Sequence, residues 1–263
     1  MAESDRVDMH TINRVVELLA LGEPFCLATV VASERQDIPV GMKAIVLNDG
    51  SLETAGVSSP LETFFHDTAI AALREKKSQL VLAEGEVRVF FDVLSGEPWL
   101  LICGAGHIAM PLATFALRVG FRVTVIDDRA DFASPARFQG CEVIAGPFYS
   151  TLRDLQIGPA TYVVVITRGH EHDTECIGGI ITGQTAYVGL IGSRRRGRFV
   201  LDLLERNGVP RQRLDEIFTP IGLPIGAESP EEIALAIAAE LVCLRRKGAA
   251  WALALRQSVE KQR

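Results

Sequence analysis

The chain has 263 residues, 48% hydrophobic and 23% charged, and its 33 acidic against 27 basic residues give a net charge of −6. That balance fits one large or two modest globular domains with a sizeable core, and it excludes disordered, collagen-like and low-complexity classes. An acidic chain is a poor non-specific nucleic-acid binder, although a local basic patch could still take a phosphate.

In chain order, residues 9–21 predict a helix with Ile12, Val15, Val16, Leu19 and Ala20 on one face. Strand-like runs follow at Phe25–Val31, Met42–Leu47 and Ser51–Thr54, with Asn48-Asp49-Gly50 as a hairpin turn. A helix over Leu61–Lys76 and strands at Gln79–Leu82 and Val87–Val93, with Gly85 between them, complete an α+β domain over residues 1–95. Leu94–Pro98 is turn-rich and reads as the linker.

From residue 96 to 263 the pattern alternates. Strands are expected at 99–103, 122–126, 142–144, 162–167 and 186–191, and helices at 108–119, 173–183, 194–206 and 230–247. Alternating strands and helices imply a doubly wound parallel sheet of Rossmann-like α/β type. Ser229, Pro230 and Glu232 spell a capping box for the last of these helices. The apolar stretch Trp99–Leu117 is long enough to suggest a membrane span. Its internal pattern instead reads as strand, Gly104–His107 turn and helix closed by Gly120, so no membrane partner is expected.

The five Cys, at 26, 103, 141, 176 and 243, are odd in number, and none is spaced Cys-x-x-Cys. A disulfide framework or structural zinc site is not implied, and a reducing, cytoplasmic compartment is expected. The N-terminal MAESDRVDMH lacks the apolar run of a signal peptide.

Gly104-x-Gly106-x-x-Ala109 stands between strand and helix, where a dinucleotide fingerprint belongs. The first Gly permits the tight turn and the second a close approach of backbone to phosphate. Asp127 ends the next strand, 21 residues after Gly106, placed to accept from a ribose hydroxyl. NAD or another dinucleotide is one candidate; a tight turn without a ligand is the bland alternative.

In a doubly wound sheet ligands bind where the strand order reverses. With order 3-2-1-4-5, the loop carrying His107 meets the loop Thr167-Arg168-Gly169-His170-Glu171-His172-Asp173. His107, His170 and Asp173 are therefore expected to face one crevice, with Asp173 orienting His170. Gly192-Ser193-Arg194-Arg195-Arg196 after the fifth strand offers an anion site, Arg194 and Arg195 approaching the crevice. Pro220–Gly226 reads as a rigid loop that lines the same crevice or is plain loop chemistry. His170-x-His172 lies in a loop by this reading, and metal binding stays open.

The second half resembles the xanthine dehydrogenase accessory factor family (XdhC/CoxI type). The matching stretches are Leu101–Ala109, Val125–Arg129, Thr167–Asp173, Val188–Arg195 and Pro220–Ile233, in the family's order. Weaker matches in the first half are Ala28–Val31, Gly41-Met42-Lys43, Asp49-Gly50 and Leu61-Glu62. There Ser33–Pro39 and Val57–Pro60 replace the family's Gly-rich runs, so no site is carried over.

The resemblance implies a cofactor chaperone more than an enzyme. It would bind molybdenum cofactor (molybdopterin) as cargo and assist insertion into xanthine dehydrogenase or a related molybdenum hydroxylase. Gly104, Gly106, His107, Asp127, Asp128, Arg129, Thr167, His170, Asp173, Gly192, Ser193, Arg194 and Arg195 are the implied binding residues. A cysteine desulfurase partner and a homo-oligomer are further implications. The rivals are an NAD-dependent oxidoreductase, with His107 or His170 as acid/base, and a scaffold whose turn binds nothing.

Overall fold

The computed structural model describes residues 3–22, 24–54, 61–83 and 86–260. The chain divides into two compact units, Met1–Glu97 and Pro98–Arg263. The division falls inside the turn-rich Leu94–Pro98 stretch.

The first unit comprises α1 (Glu3–Leu21), β1 (Phe25–Ala32), β2 (Lys43–Leu47), β3 (Leu52–Thr54), α2 (Glu62–Glu75), β4 (Gln79–Ala83) and β5 (Val87–Leu94). Its antiparallel sheet runs β3-β2-β1-β5-β4. Alternate residues of β1 serve opposite faces. Cys26, Ala28 and Val30 pack with Phe65 and Ala69 of α2, while Phe25 packs with Leu18 of α1. Gly50 takes the left-handed turn conformation, with φ of 88°. The face assigned to α1 needs correction. Thr11 and Leu18 are buried with Val15 and Leu19 beside them, whereas Ile12 and Val16 are exposed. The buried stripe lies one position, or about 100° of helix, from the expected one. Val57–Pro60 and Gly85 lie outside the described residues.

The second unit is a doubly wound α/β domain. Its strands are β6 (Trp99–Cys103), β7 (Arg122–Asp127), β8 (Glu142–Ala145), β9 (Thr161–Val165) and β10 (Tyr187–Leu190). They form a parallel sheet of order β10-β9-β6-β7-β8, with β6 central. The helices are α3 (Ala109–Arg118), α4 (Phe148–Asp154), α5 (His170–Ile180), α6 (Arg194–Arg206), α7 (Arg211–Leu214), α8 (Pro230–Lys247) and α9 (Ala249–Glu260).

Strand pleating sorts the core. Leu100, Ile102, Val123, Val125 and Val164 pack with α3 and α8; Leu101, Cys103, Ile126, Val163 and Val165 pack with α4, α5 and α6. A strand buried on both faces reads as a continuous apolar run, which is why β6 and β9 stand out. The Trp99–Leu117 stretch resolves into β6, a turn and α3. Among the described residues no helix is long and apolar enough to cross a membrane.

The expected helices at 108–119, 194–206 and 230–247 are α3, α6 and α8. Ser229 and Glu232 form the full capping box of α8. Short α4, with only Phe148 and Leu152 buried, escapes a periodicity reading, as do α7 and α9. The helix expected at 173–183 begins three residues earlier, at His170.

A buried carboxylate ties the last helices together. Glu240, on the otherwise apolar face of α8, is fully buried. Its Oε1 accepts from the Tyr187 hydroxyl at 2.5 Å and the Gly222 amide at 3.0 Å; its Oε2 accepts from Arg256 of α9 at 2.9 Å. Arg256 also donates to the Pro220 carbonyl. The Pro220–Gly226 loop is thereby anchored to α8, where Leu223 N donates to Ala236 O, and it serves packing there. Removing the acceptor takes the carboxylate from the largely covered Arg256 guanidinium and strands two further donors. Glu240→Ala is expected to cost about 3 kcal/mol, measured by urea denaturation of the whole chain; a loss under about 1 kcal/mol would show that the network contributes little.

Candidate functional site

The order reverses between β6 and β9, so the turns after those strands emerge side by side. The turn after β6 starts at Gly104, whose φ is 111°. A Cβ there would lie 2.5 Å from Ile166 O, at the end of β9. Gly104 N donates to Ile126 O at 2.7 Å and Ala105 N to Asp127 Oδ2 at 2.7 Å, both at the end of β7. The turn is thus pinned on both sides.

Gly106 is different. A Cβ built on it meets nothing within 4 Å, and its φ lies outside the left-handed region. The absent side chain leaves open space. The amides of Gly106, His107 and Ile108 find no acceptor among the described residues. Pro111, the third residue of α3, contributes no N–H. Free amides leading into a helix, beside a surface without a Cβ, suit an anion. His107 is exposed beside them.

Asp127 is not available to a ribose. It is 1% exposed, and its carboxylate takes the Ala105 amide, the Arg129 amide at 3.0 Å and two guanidinium bonds from Arg129 at 2.8 and 2.9 Å. Burial pushes its pKa up, but the Arg129 guanidinium and the two amides outweigh this and hold it below the ordinary value. The ribose-acceptor assignment is therefore corrected: this acid braces the turn. Arg129 stacks over Phe132, 3.6 Å from the ring centre, and is partly committed as well.

The next acid faces out. Asp128 receives a fork from Arg168 at 2.6 and 2.7 Å, and that pair holds its carboxyl down at about 2. Arg168 belongs to the turn after β9, so this ion pair joins the turns on either side of β6. Arg168 was not among the expected binding residues.

Asp173 also departs from expectation. It is fully buried and faces no crevice. Its Oδ1 accepts from Thr167 Oγ1 at 2.6 Å, and its Oδ2 takes Arg196 Nε at 3.0 Å and Nη2 at 2.6 Å. Burial dominates and raises its pKa, against the pull of Thr167 and Arg196. No hydrogen bond joins it to His170 among the described residues. His170 and His172 lie in the first turn of α5, not in a loop, and diverge. His170 packs edge-on against Phe199 at 5.2 Å, and His172 lies 5.5 Å from Phe148. Among the described residues no three His, Cys, Asp or Glu side chains are grouped to hold a metal ion.

The arginine run resolves by helical phase. Arg196 turns back to Asp173, its stem crossing Gly192, where a Cβ would meet Arg196 Cδ at 2.9 Å. The room that Gly192 leaves is therefore filled by Arg196. Ser193 caps α6 by accepting from Arg196 N. Arg195 is exposed. Arg194 lines a cavity of about 790 Å³ with Arg198, Leu201, Phe218, Leu253 and Arg256, alongside β10. The cavity that Arg194 lines is therefore not the expected crevice. Thr167 and Asp173 are buried and hydrogen-bonded to each other and Gly192 is packed by Arg196, whereas Gly106, His107, Asp128, His170 and the helix-capping Ser193 remain accessible.

A parallel sheet of this order, with a Gly-x-Gly turn at its reversal, defines a Rossmann-like domain. The chain belongs to the XdhC Rossmann domain family, whose model matches residues 100–241. It is 28% identical over 250 residues to uncharacterized protein YqeB of Escherichia coli (strain K12), covering 89% of this chain and 46% of that protein. It is 31% identical over 160 residues to a probable xanthine dehydrogenase subunit of Bacillus subtilis (strain 168), covering 60% of this chain and 46% of that one. The chain thus spans about half the length of the curated relatives it matches. The crystal structure of a xanthine dehydrogenase from Bacillus halodurans aligns with a TM-score of 0.61 at 28% identity, over 91% of this chain and 65% of that one.

The two glycines should separate cleanly. Gly104→Ala forces a Cβ against backbone at a positive φ and is expected to destabilise by about 3 kcal/mol; Gly106→Ala should leave the melting temperature unchanged. Equal melting temperatures for both would refute the close approach. The Asp128 pair has a defined sign: with its folded pKa depressed, its contribution to stability is present above about pH 4 and is lost as pH falls towards 2. Carboxyl NMR titration of Arg168→Gln should show Asp128 returning to the ordinary carboxylate range, and an unmoved titration would place the cause elsewhere.

Proposed function

We propose that this chain is an accessory protein to xanthine dehydrogenase or a related molybdenum hydroxylase, and that it binds molybdenum cofactor as cargo. The carrying observation is the open face of Gly106 next to three amides without acceptors, in a domain of the XdhC family. Molybdopterin ends in a phosphate, and the turn suits that group chemically. The chain's part is to bind and orient. The amides of Gly106, His107 and Ile108 would hold the phosphate, and the accessible imidazoles of His107 and His170 would border the cargo.

The names of the Bacillus relatives support a molybdenum hydroxylase as client. A cysteine desulfurase as second partner, a homo-oligomeric state and a cytoplasmic location belong to the same proposal. The oxidoreductase alternative as read from the sequence places Asp127 on the ribose, and Asp127 is taken up by Arg129 and two amides.

Wild-type protein purified from molybdenum-replete cells should yield a fluorescent pterin on oxidation and restore activity to apo-hydroxylase. Gly106→Val places a branched side chain on the face where the phosphate would sit, and its Cβ meets nothing within 4 Å. It should retain about tenfold less pterin at an unchanged melting temperature. Equal pterin content in both proteins would remove the turn from cargo binding. Saturable NADH binding without any pterin would favour the oxidoreductase reading.

A further inference from the structure

The ion pair between Arg168 and Asp128 has an unusual position. Asp128 follows β7 and Arg168 follows β9, and these strands flank β6 on either side. Neighbouring strands lie about 4.8 Å apart, so the pair bridges roughly 10 Å. The pair thus joins the segments that follow the two strands flanking β6, the strand from whose end Gly104–Ile108 emerges. Both of its bonds are short, at 2.6 and 2.7 Å, and the two side chains remain partly open to solvent at 43% and 27% exposure.

The partners are unequal. Behind Asp128, Asp127 is already neutralised by Arg129. On the other side Asp173 is neutralised by Arg196. Among the described residues, Arg168 is the remaining guanidinium at the reversal point whose carboxylate partner reaches solvent. A guanidinium fork fits phosphate oxygens as well as a carboxylate, and a phosphate dianion offers twice the charge. An acid holding that fork occupies the place an incoming phosphate would need.

We propose that Arg168 is a phosphate-binding residue of the β6 turn and that Asp128 is its internal competitor, displaced when the ligand's phosphate arrives. This rests on the reading of Gly104–Ile108 as a phosphate site. Asp128, expected from the sequence to bind the cofactor, then opposes binding instead. The exchange swaps one fork for another, so the arginine is never left unpaired and the cargo is released without stranding a cation. Asp128 sets how tightly the anion is held.

The test uses guanosine 5′-monophosphate, whose guanine carries the aminopyrimidinone edge of a pterin. Binding to the whole chain is followed by calorimetry at low and at physiological ionic strength. Asp128→Asn should bind about fivefold tighter than wild type and Arg168→Gln about tenfold weaker. The double variant should match Arg168→Gln, because the acid acts only through the arginine. Melting temperatures of the variants verify folding. If Asp128→Asn binds no tighter than wild type while Gly106→Val still weakens binding, the turn holds phosphate without Arg168 and the inference fails alone. If Gly106→Val binds as wild type does, the phosphate reading of the turn fails. Absence of binding in both wild type and Asp128→Asn up to millimolar nucleotide would overturn both.

Discussion

The turn after β6 depends on a contact with room for a hydrogen atom and nothing larger. Gly104 brings its Cα against the carbonyl of Ile166, so the turn after β6 and the exit of β9 lie at backbone distance. From that approach follow the hydrogen bond to Ile126 O, the seat of Ala105 N on Asp127 and the direction in which Gly106 opens. The two glycines of one motif thus do opposite work. The first is closed by neighbouring backbone and secures the turn; the second faces empty space.

The electrostatics around that turn are layered by burial. The inner carboxylates, Asp127 and Asp173, are spent on structure, each clamped by a guanidinium and further donors. Such pairs gain little net stability over apolar packing but cost much to break, because a buried charge would be left alone. The outer pair, Asp128 and Arg168, is partly open to solvent, where an ion pair contributes little to stability. The clamped charges lie inside the fold, and the outer pair lies at its surface.

The sheet was legible because each parallel strand announces itself as an apolar run between turn residues, and one chirality rule arranges those runs. The placement of side chains was less so. Three consecutive arginines look alike in a sequence, yet successive helical residues point about 100° apart, and only Arg196 turns inward. The same phase uncertainty rotated the buried stripe of α1. Beginning α5 at His170 rather than Asp173 carried the two histidines to different neighbours, a boundary shift of the kind local pattern resolves poorly. Glu240 did leave a signal, a lone acid among alanines and leucines of α8, the pattern of a buried charge with a hidden partner.

One edge of the parallel sheet is closed to further strands. Along β10 the segment after α7 runs beside the strand, with Leu190 N donating to Phe218 O, Phe218 N to Val188 O and Ile221 N to Leu190 O. The backbone groups that would recruit an extended peptide on that side are already spent. Within this sheet, strand addition from another polypeptide is left with the opposite border at β8, only four residues long. Along this sheet, that border limits capture by backbone pairing to a short register.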